Sequence, residues 1–68
     1  MDDFPRILKE LRQDKGLNQL QLANALGFKR ETTINQWEKG KRMPDIVNLK
    51  LLSKFFNVSI DYLVGNER

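Results

Sequence analysis

The chemistry open to this chain is that of amides, hydroxyls, carboxylates and cations, because its 68 residues include neither Cys nor His. The missing types remove thiol nucleophiles, serine-histidine triads, imidazole acid-base catalysis and zinc sites with Cys or His ligands. The sequence also has no glycine-rich phosphate loop and no clustered pair of carboxylates to serve as acid and base. We therefore predict a protein that is not an enzyme, needs neither metal nor cofactor, and acts by non-covalent recognition.

The positive charge of the chain is concentrated in one segment, Lys29 to Arg42. Five basic and two acidic residues give this segment a net charge of +3, which is also the net charge of the whole chain. A basic segment of this kind permits binding to nucleic acid, although charges that only solvate a surface give the same composition. The charge balance alone leaves both interpretations open.

Helical periodicity organises the chain, since strand-like alternation is confined to short runs. Pro5 suits the first turn of a helix that Asp3 caps, and Gly27 suits the left-handed position after a second helix. Asn18 and Asp45 are typical N-terminal caps of the second and fourth helices. We predict one all-α domain over residues 1–68, with helices at about 4–14, 19–26, 31–39, 45–56 and 60–64.

Residues at helical spacing, nearly all of them apolar, give the predicted core. Its members are Ile7, Leu8, Leu11, Leu22, Ala23, Leu26, Ile34, Trp37, Ile46, Leu49, Leu52, Ser53 and Phe56. Val47, Leu51 and Phe55 lie outside these stripes, at a spacing of four on one flank of the fourth helix. They form either a face for a dimer or another partner, or a layer packed under the first helix or the C-terminal segment.

The residues between the second and third helices follow the pattern of a helix-turn-helix. Ala23 is small where the two helices must cross closely, Gly27 supplies the turn, and Ile34 packs between the helices. Trp37 continues the inner side, where a core position is favoured over a platform for stacking bases. The outer side of the third helix carries four polar residues, Thr32, Asn35, Gln36 and Lys39. A polar face held away from the core can enter a major groove.

Three stretches extend this pattern: LNQLQLANALG, INQWEKGKRMP and NVSIDYLVG. They resemble the corresponding stretches of lambda-repressor-like, Cro-type (xenobiotic-response-element-like) helix-turn-helix domains, and the match runs from about Ile7 to Gly65. The resemblance implies a compact five-helix bundle whose second and third helices form the helix-turn-helix. It also implies a sequence-specific DNA-binding transcriptional regulator, expected to be a repressor, that binds double-stranded DNA as a homodimer on a pseudo-palindromic operator.

The resemblance further assigns a set of residues to base reading: Glu31, Thr32, Asn35 and Gln36. The amides of Asn35 and Gln36 can pair with adenine N6 and N7, and Thr32 can touch a thymine methyl group. Glu31 can accept from cytosine N4, but it serves equally well as a helix-start charge or in excluding wrong bases. We expect contacts to phosphates from Gln19, Lys29, Arg30, Lys41 and Arg42.

The chain departs from the family pattern between Gly27 and Ile34. These residues are seven positions apart, whereas the family has six. We align Ile34 with the buried aliphatic position of the family's third helix, because this keeps an apolar residue in the core. The extra residue then lies among positions 28–30, and the turn is one residue longer than in the family. Arg30 then falls where the family has a capping Ser or Thr, and Thr32 is the alternative cap of the third helix.

The remaining expectations concern location and partners. The start of the chain, Met1 to Pro5, is acidic where a signal peptide needs a basic start and an apolar run, and no segment suits a membrane span. We predict a cytoplasmic protein with no membrane partner and no small-molecule ligand. The alternative function is a protein-interaction module, such as an antitoxin-like or adaptor protein, that docks its partner on the apolar flank of the fourth helix.

Overall fold

Five helices are present in residues 3–66, the part of the chain that the computed structural model describes. They are α1 (Phe4–Asp14), α2 (Gln19–Ala25), α3 (Thr32–Glu38), α4 (Ile46–Phe56) and α5 (Ile60–Leu63). The described residues contain no strand, and the prediction of an all-α five-helix bundle is confirmed. None of these helices has the length and apolar character needed to cross a bilayer. Met1 and Asp2 of the acidic start lie outside the described residues.

Five helix ends differ by one residue from the predicted bounds. α2 ends at residue 25 and not at 26, α3 covers 32–38 and not 31–39, α4 begins at 46 and not at 45, and α5 ends at 63 and not at 64. The residues given up are all cap residues: Leu26, Glu31, Lys39, Asp45 and Val64. A cap residue shares part of the helical hydrogen bonding, so the sequence pattern includes it although it lies just outside the helix.

Side-chain caps begin α2 and α4, as predicted. Asn18 Oδ1 accepts from the Gln21 N–H over 2.7 Å, and Gln21 Oε1 accepts from the Asn18 N–H over 2.8 Å, which completes a capping box. Asp45 Oδ1 accepts from the Asn48 N–H over 2.9 Å. Each cap satisfies a donor that the helix itself leaves unpaired, so the start of each helix is fixed by its own sequence.

The predicted caps of α1 and α3 are wrong. Asp3 does occupy the position before α1, but its carboxylate makes no cap hydrogen bond, and it lies 3.8 Å from Arg6 instead. Glu31 is the residue before α3 and also makes no cap bond, so neither Arg30 nor Thr32 caps this helix. Asp3 and Glu31 both have helical backbone angles, whereas a capping side chain needs an extended backbone to reach the N–H groups.

The turn after α2 is closed by two backbone hydrogen bonds of the Schellman type. The Phe28 N–H donates to the Ala23 carbonyl over 2.9 Å, and the Gly27 N–H donates to the Asn24 carbonyl over 3.1 Å. The motif needs a left-handed residue directly after the helix, and Gly27 supplies it with a φ of +92°, as predicted. The turn directs Phe28 onto the core, where its ring lies edge-on to Trp37 at a centroid distance of 6.0 Å.

The core is formed by the inner sides of all five helices. Its fully buried members include Phe4, Leu8, Leu22, Ala23, Ile34, Leu52 and Leu63. Trp37 is only 3% exposed and lies edge-on to Phe4 at 6.5 Å, so its predicted position in the core is confirmed. Leu11 and Leu26 are half-buried and pack against the core from its edge.

One predicted core residue is wrong. Ile46 is 57% exposed, whereas Leu49, Leu52 and Phe56 of the same helix are buried. At 100° per residue, Ile46 points about 90° away from the mean direction of those three side chains, so it leaves the side of α4 that packs on the rest of the bundle. The spacing of three between residues 46 and 49 resembled a continuation of the stripe, but the stripe begins at Leu49.

Candidate nucleic-acid interface

The orientation of α3 is set by two side chains on its inner side. Ile34 is fully buried and Trp37 nearly so, and α3 packs against both α1 and α2. In a helix of seven residues with its inner side held in this way, the opposite side must face solvent. The helix-turn-helix therefore presents the outer side of α3 as a fixed surface.

The predicted base-reading residues all lie along this outer side. Glu31 and Thr32 are exposed at the start of α3, and Asn35 and Gln36 are half-buried one turn later. Six consecutive positions of helix span only about 9 Å, so these four side chains lie within reach of a few adjacent base pairs. The structure brings the four together on one surface.

The backbone of Gln36 forms hydrogen bonds that close the end of α3, whereas its side chain is available to contact a ligand. Its carbonyl oxygen accepts from the N–H groups of Lys41 over 2.9 Å and Arg42 over 3.4 Å. Within residues 3–66, no hydrogen bond engages its side-chain amide. An amide on a rigid backbone with both its donor and its acceptor available is suited to a bidentate contact.

A buried ion pair beneath this surface was not predicted from the sequence. Arg12 Nε and Nη2 donate to the two carboxylate oxygens of Glu38 over 2.6 and 3.0 Å, and Arg12 Nη1 donates to the Leu17 carbonyl over 2.8 Å. The two side chains are only 10% and 4% exposed. The hydrogen bonds that Arg12 donates to Glu38 raise the pKa of the Arg12 guanidinium above its ordinary value, against the opposing effect of burial.

The signal for this pair was present in the spacing of α1. Phe4, Leu8 and Arg12 follow one another at intervals of four and therefore share one side of the helix, and all three are buried. A cation that continues a buried apolar stripe needs a buried partner, because an isolated charge is costly to remove from water. Nothing local identifies that partner as Glu38, which lies 26 positions further along the chain.

Two predicted interface residues from different helices meet above this ion pair. Gln19, at the start of α2, donates from Nε2 to Glu38 Oε1 over 3.1 Å. Asn35 of α3 donates from Nδ2 to Gln19 Oε1 over 3.2 Å. The side chain predicted to contact phosphate and one of those predicted to read bases are thus hydrogen-bonded to each other, and both are half-buried.

The predicted phosphate-binding cations flank α3 at both ends. Lys29 and Arg30 are exposed in the turn before the helix, and Lys41 and Arg42 are exposed after it. No ion pair to a carboxylate of the described residues holds any of the four. Because Glu38 is paired internally with Arg12, the surface of this segment carries five cations and the single carboxylate of Glu31. The surface is more positive than its sequence charge indicates.

The turn before α3 holds six residues, 26–31. Phe28 packs against the core, whereas residues 29–31 are exposed. This arrangement keeps an apolar anchor in the turn and leaves the charged residues at the surface. The one-residue insertion relative to the family stays a prediction.

The apolar flank predicted on α4 is divided between solvent and core. Val47 is 68% exposed and Leu51 38% exposed. Phe55 is half-buried, with its ring edge-on to Phe56 at 5.0 Å and Lys15 Nζ at 5.3 Å from its centroid. Four exposed apolar side chains lie on α4 or shortly before its first residue, and we call them the outer face of α4: Met43, Ile46, Val47 and Leu51.

Comparison with known proteins places this geometry in a family. The helix-turn-helix family model matches residues 8–63. The HTH-type transcriptional activator BcrR of Enterococcus faecalis is 46% identical over 65 residues, which are 96% of this chain and 31% of that protein. The cryptic phage CTXphi transcriptional repressor RstR of Vibrio cholerae is 33% identical over 63 residues, 93% of this chain and 56% of that protein.

The HTH-type transcriptional regulator ImmR of Bacillus subtilis (strain 168) is also similar, with 40% identity over 60 residues that cover 88% of this chain and 46% of that protein. The chain thus spans between 31% and 56% of the length of these three relatives. No solved structure matches it significantly. The family match over most of the chain and the packing of α2 against α3 show that the chain belongs to the helix-turn-helix family, in the lambda-repressor-like, Cro-type group predicted from its sequence.

Proposed function

We propose that this chain is a sequence-specific DNA-binding transcriptional regulator that inserts α3 into the major groove of an operator. The observation that carries the proposal is the outer side of α3, which is rigidly oriented, lined with hydrogen-bonding side chains and flanked by cations at both ends. The major groove of B-DNA is about 12 Å wide and accepts an α-helix. The three named relatives are a transcriptional activator, a repressor and a regulator, which supports the same class of function.

The proposed mechanism is occupancy, without a catalytic step. Lys29, Arg30, Lys41 and Arg42 bind phosphates and fix the position of the domain, while Thr32, Asn35 and Gln36 contact base edges. Glu31 accepts from cytosine N4 and disfavours bases that present only acceptors. An operator that overlaps a promoter is then closed to polymerase, which gives repression.

We further propose that the operator is bound by two copies of the chain. The outer face of α4 leaves apolar side chains in water, and a second copy that covers them removes this surface from solvent. The Cα atoms of the domain extend over 32 × 23 × 21 Å, a size that allows two adjacent copies to occupy half-sites one helical turn of DNA, roughly 34 Å, apart. Such a dimer recognises a pseudo-palindrome.

The first test is selection from a randomised duplex pool at about 0.15 M salt, a concentration that screens weak surface attraction. Recovery of a pseudo-palindrome supports the dimeric regulator, and recovery of one isolated half-site supports DNA recognition but contradicts the dimer. The absence of any enriched sequence overturns the proposed function.

A protein-interaction module is the second candidate, and the observation that favours it is the same outer face of α4. If the domain serves mainly to hold another protein, Val47→Asp abolishes capture of that protein and leaves binding to an isolated half-site unchanged. If the face serves the DNA-bound dimer, the variant weakens binding to the full operator and leaves a single half-site unaffected. The affinity of the Val47→Asp variant for the full operator therefore distinguishes the two functions.

A further inference from the structure

A chain of hydrogen bonds leads from the buried ion pair to the outer side of α3. Glu38 accepts from Gln19 over 3.1 Å, and Gln19 accepts from Asn35 over 3.2 Å. We call these three side chains the amide relay. Its inner end is nearly inaccessible, since the Glu38 side chain is only 4% exposed and both its oxygens accept from Arg12. Its outer end is half-buried Asn35.

The relay has a fixed polarity because a carboxylate paired with a guanidinium only accepts hydrogen bonds. Gln19 must therefore turn its amide nitrogen toward Glu38, and its oxygen is left facing Asn35. Asn35 must in turn direct its own amide nitrogen to that oxygen. An isolated surface amide can exchange its oxygen and nitrogen by a half-turn of its last torsion, but here each half-turn would place two donors or two acceptors together.

The polarity decides what Asn35 offers to DNA. Its Oδ1 and the second hydrogen of Nδ2 remain available, an acceptor beside a donor, which match the N6 donor and N7 acceptor of adenine. Guanine presents two acceptors at the same edge, so its O6 would meet Asn35 Oδ1. Resting on the DNA-binding function proposed above, we infer that Glu38 acts as a positioning residue. Through Gln19 it fixes Asn35 to favour adenine over guanine at one operator position.

The test compares base preferences at every operator position for variants of the full chain. Glu38→Gln preserves shape but can offer either a donor or an acceptor to Gln19, so the relay loses its fixed polarity. We expect the preference for adenine over guanine to fall at the Asn35 position by about fivefold or more, the lower end of what a bidentate contact contributes, with other positions unchanged. A preference that stays at the wild-type value, or one that falls equally at all positions, overturns the inference.

Glu38→Gln also abolishes the buried ion pair with Arg12 and destabilises the fold, so a second variant is needed that leaves that pair intact. Gln19→Met removes both hydrogen bonds of the relay and keeps a side chain of similar length. This variant is expected to lose the same preference for adenine at the Asn35 position. It should also lose some affinity for all sequences, because the sequence predicts a phosphate contact from Gln19. If Gln19→Met binds with the wild-type preference for adenine, the relay has no role in base choice.

A matched control accounts for loss of stability alone. Leu49→Ala removes a buried side chain from α4, away from the relay, and should destabilise the fold without changing any base preference. A change of preference in this control equal to that of Glu38→Gln contradicts the inference. If the wild-type chain enriches no sequence, the proposed function fails as well. If the wild-type chain enriches an operator and both relay variants keep its preference for adenine, the inference about the relay is overturned while the proposed function stands.

Discussion

The residues proposed to contact DNA are expected to differ in whether they distinguish one DNA sequence from another. Gln36 lies on the outer side of α3 with its amide unengaged by the described residues, so it can contact a base edge directly. Gln36→Ala is expected to weaken binding to the preferred operator by roughly 1–3 kcal/mol and to relax the preference at one position. Fluorescence anisotropy on operators that differ at one base pair measures both effects. An unchanged preference at every position would show that α3 enters the groove in another register.

Lys41 is the comparison for Gln36, because it is exposed just after α3 and is proposed to contact a phosphate and not a base. A phosphate contact carries no sequence information, so Lys41→Ala should weaken binding to all duplexes by the same factor. It should also reduce the dependence of log affinity on log salt concentration by about 0.9, the release of counterions for one phosphate. Titrations at several salt concentrations give the slope, and a loss confined to one operator sequence would assign Lys41 to base reading instead.

The stability of the fold depends on the buried ion pair that Arg12 forms with Glu38. Arg12→Met removes the partner of a carboxylate that is only 4% exposed, and breaking a buried pair in this way costs about 3–5 kcal/mol. For a domain of this size that is a large share of the total stability, so thermal denaturation should show a markedly lower Tm or an unfolded chain. Arg6→Met is the control in the same helix. Its pair with Glu10 is more than half exposed and should contribute less than about 1 kcal/mol.

Among the helices, the sequence predicted best the features that neighbouring residues determine. The caps at Asn18 and Asp45 and the turn at Gly27 depend on residues within three or four positions, and all were predicted correctly. The caps expected for α1 and α3 were wrong because a cap also needs an extended backbone at the residue before the helix. Those backbone angles depend on how the helix start packs, which residue types alone do not determine.

The two helix starts give a direct prediction about stability. Asn18→Ala removes a side chain that satisfies the N–H of Gln21 and should destabilise the domain by about 1 kcal/mol. Asp3→Ala changes the equivalent position of α1, where no cap bond exists, and should have an effect of only a few tenths of a kcal/mol from its exposed contact with Arg6. Urea denaturation of both variants tests this difference. Equal losses would mean that Asp3 does cap α1 in solution.

At the scale of the whole molecule, the outer side of α3 followed from the sequence because Ile34 and Trp37 identify the inner side by their spacing. The hydrogen-bonded side chains beneath that surface could not be predicted from the sequence. Arg12, Gln19 and Glu38 come from three helices and meet only in the folded chain. The same pairing makes the interface more positive than the sequence indicates, because it removes one of the two carboxylates of the basic segment from the surface.

The outer face of α4 carries the last prediction, which concerns the assembly. Val47 is 68% exposed and points away from the core of its own domain, so Val47→Asp should leave the fold intact while placing a charge in the proposed dimer interface. We expect sedimentation equilibrium to show a dimer for the wild-type chain and a monomer for the variant. Gln13→Asp introduces the same charge on the exposed surface of α1 and should leave the dimer unchanged.

DNA binding by the same variants distinguishes loss of the dimer from loss of the folded domain. When two linked half-sites bind cooperatively, loss of the dimer lowers the affinity for the pair far more than for one half-site, because the second contact is no longer made at high effective concentration. Val47→Asp should therefore bind a single half-site as the wild-type chain does and lose its advantage on the full operator. If the wild-type chain is a monomer that already binds the two half-sites independently, the outer face of α4 does not join two copies, and its apolar side chains are available to another protein.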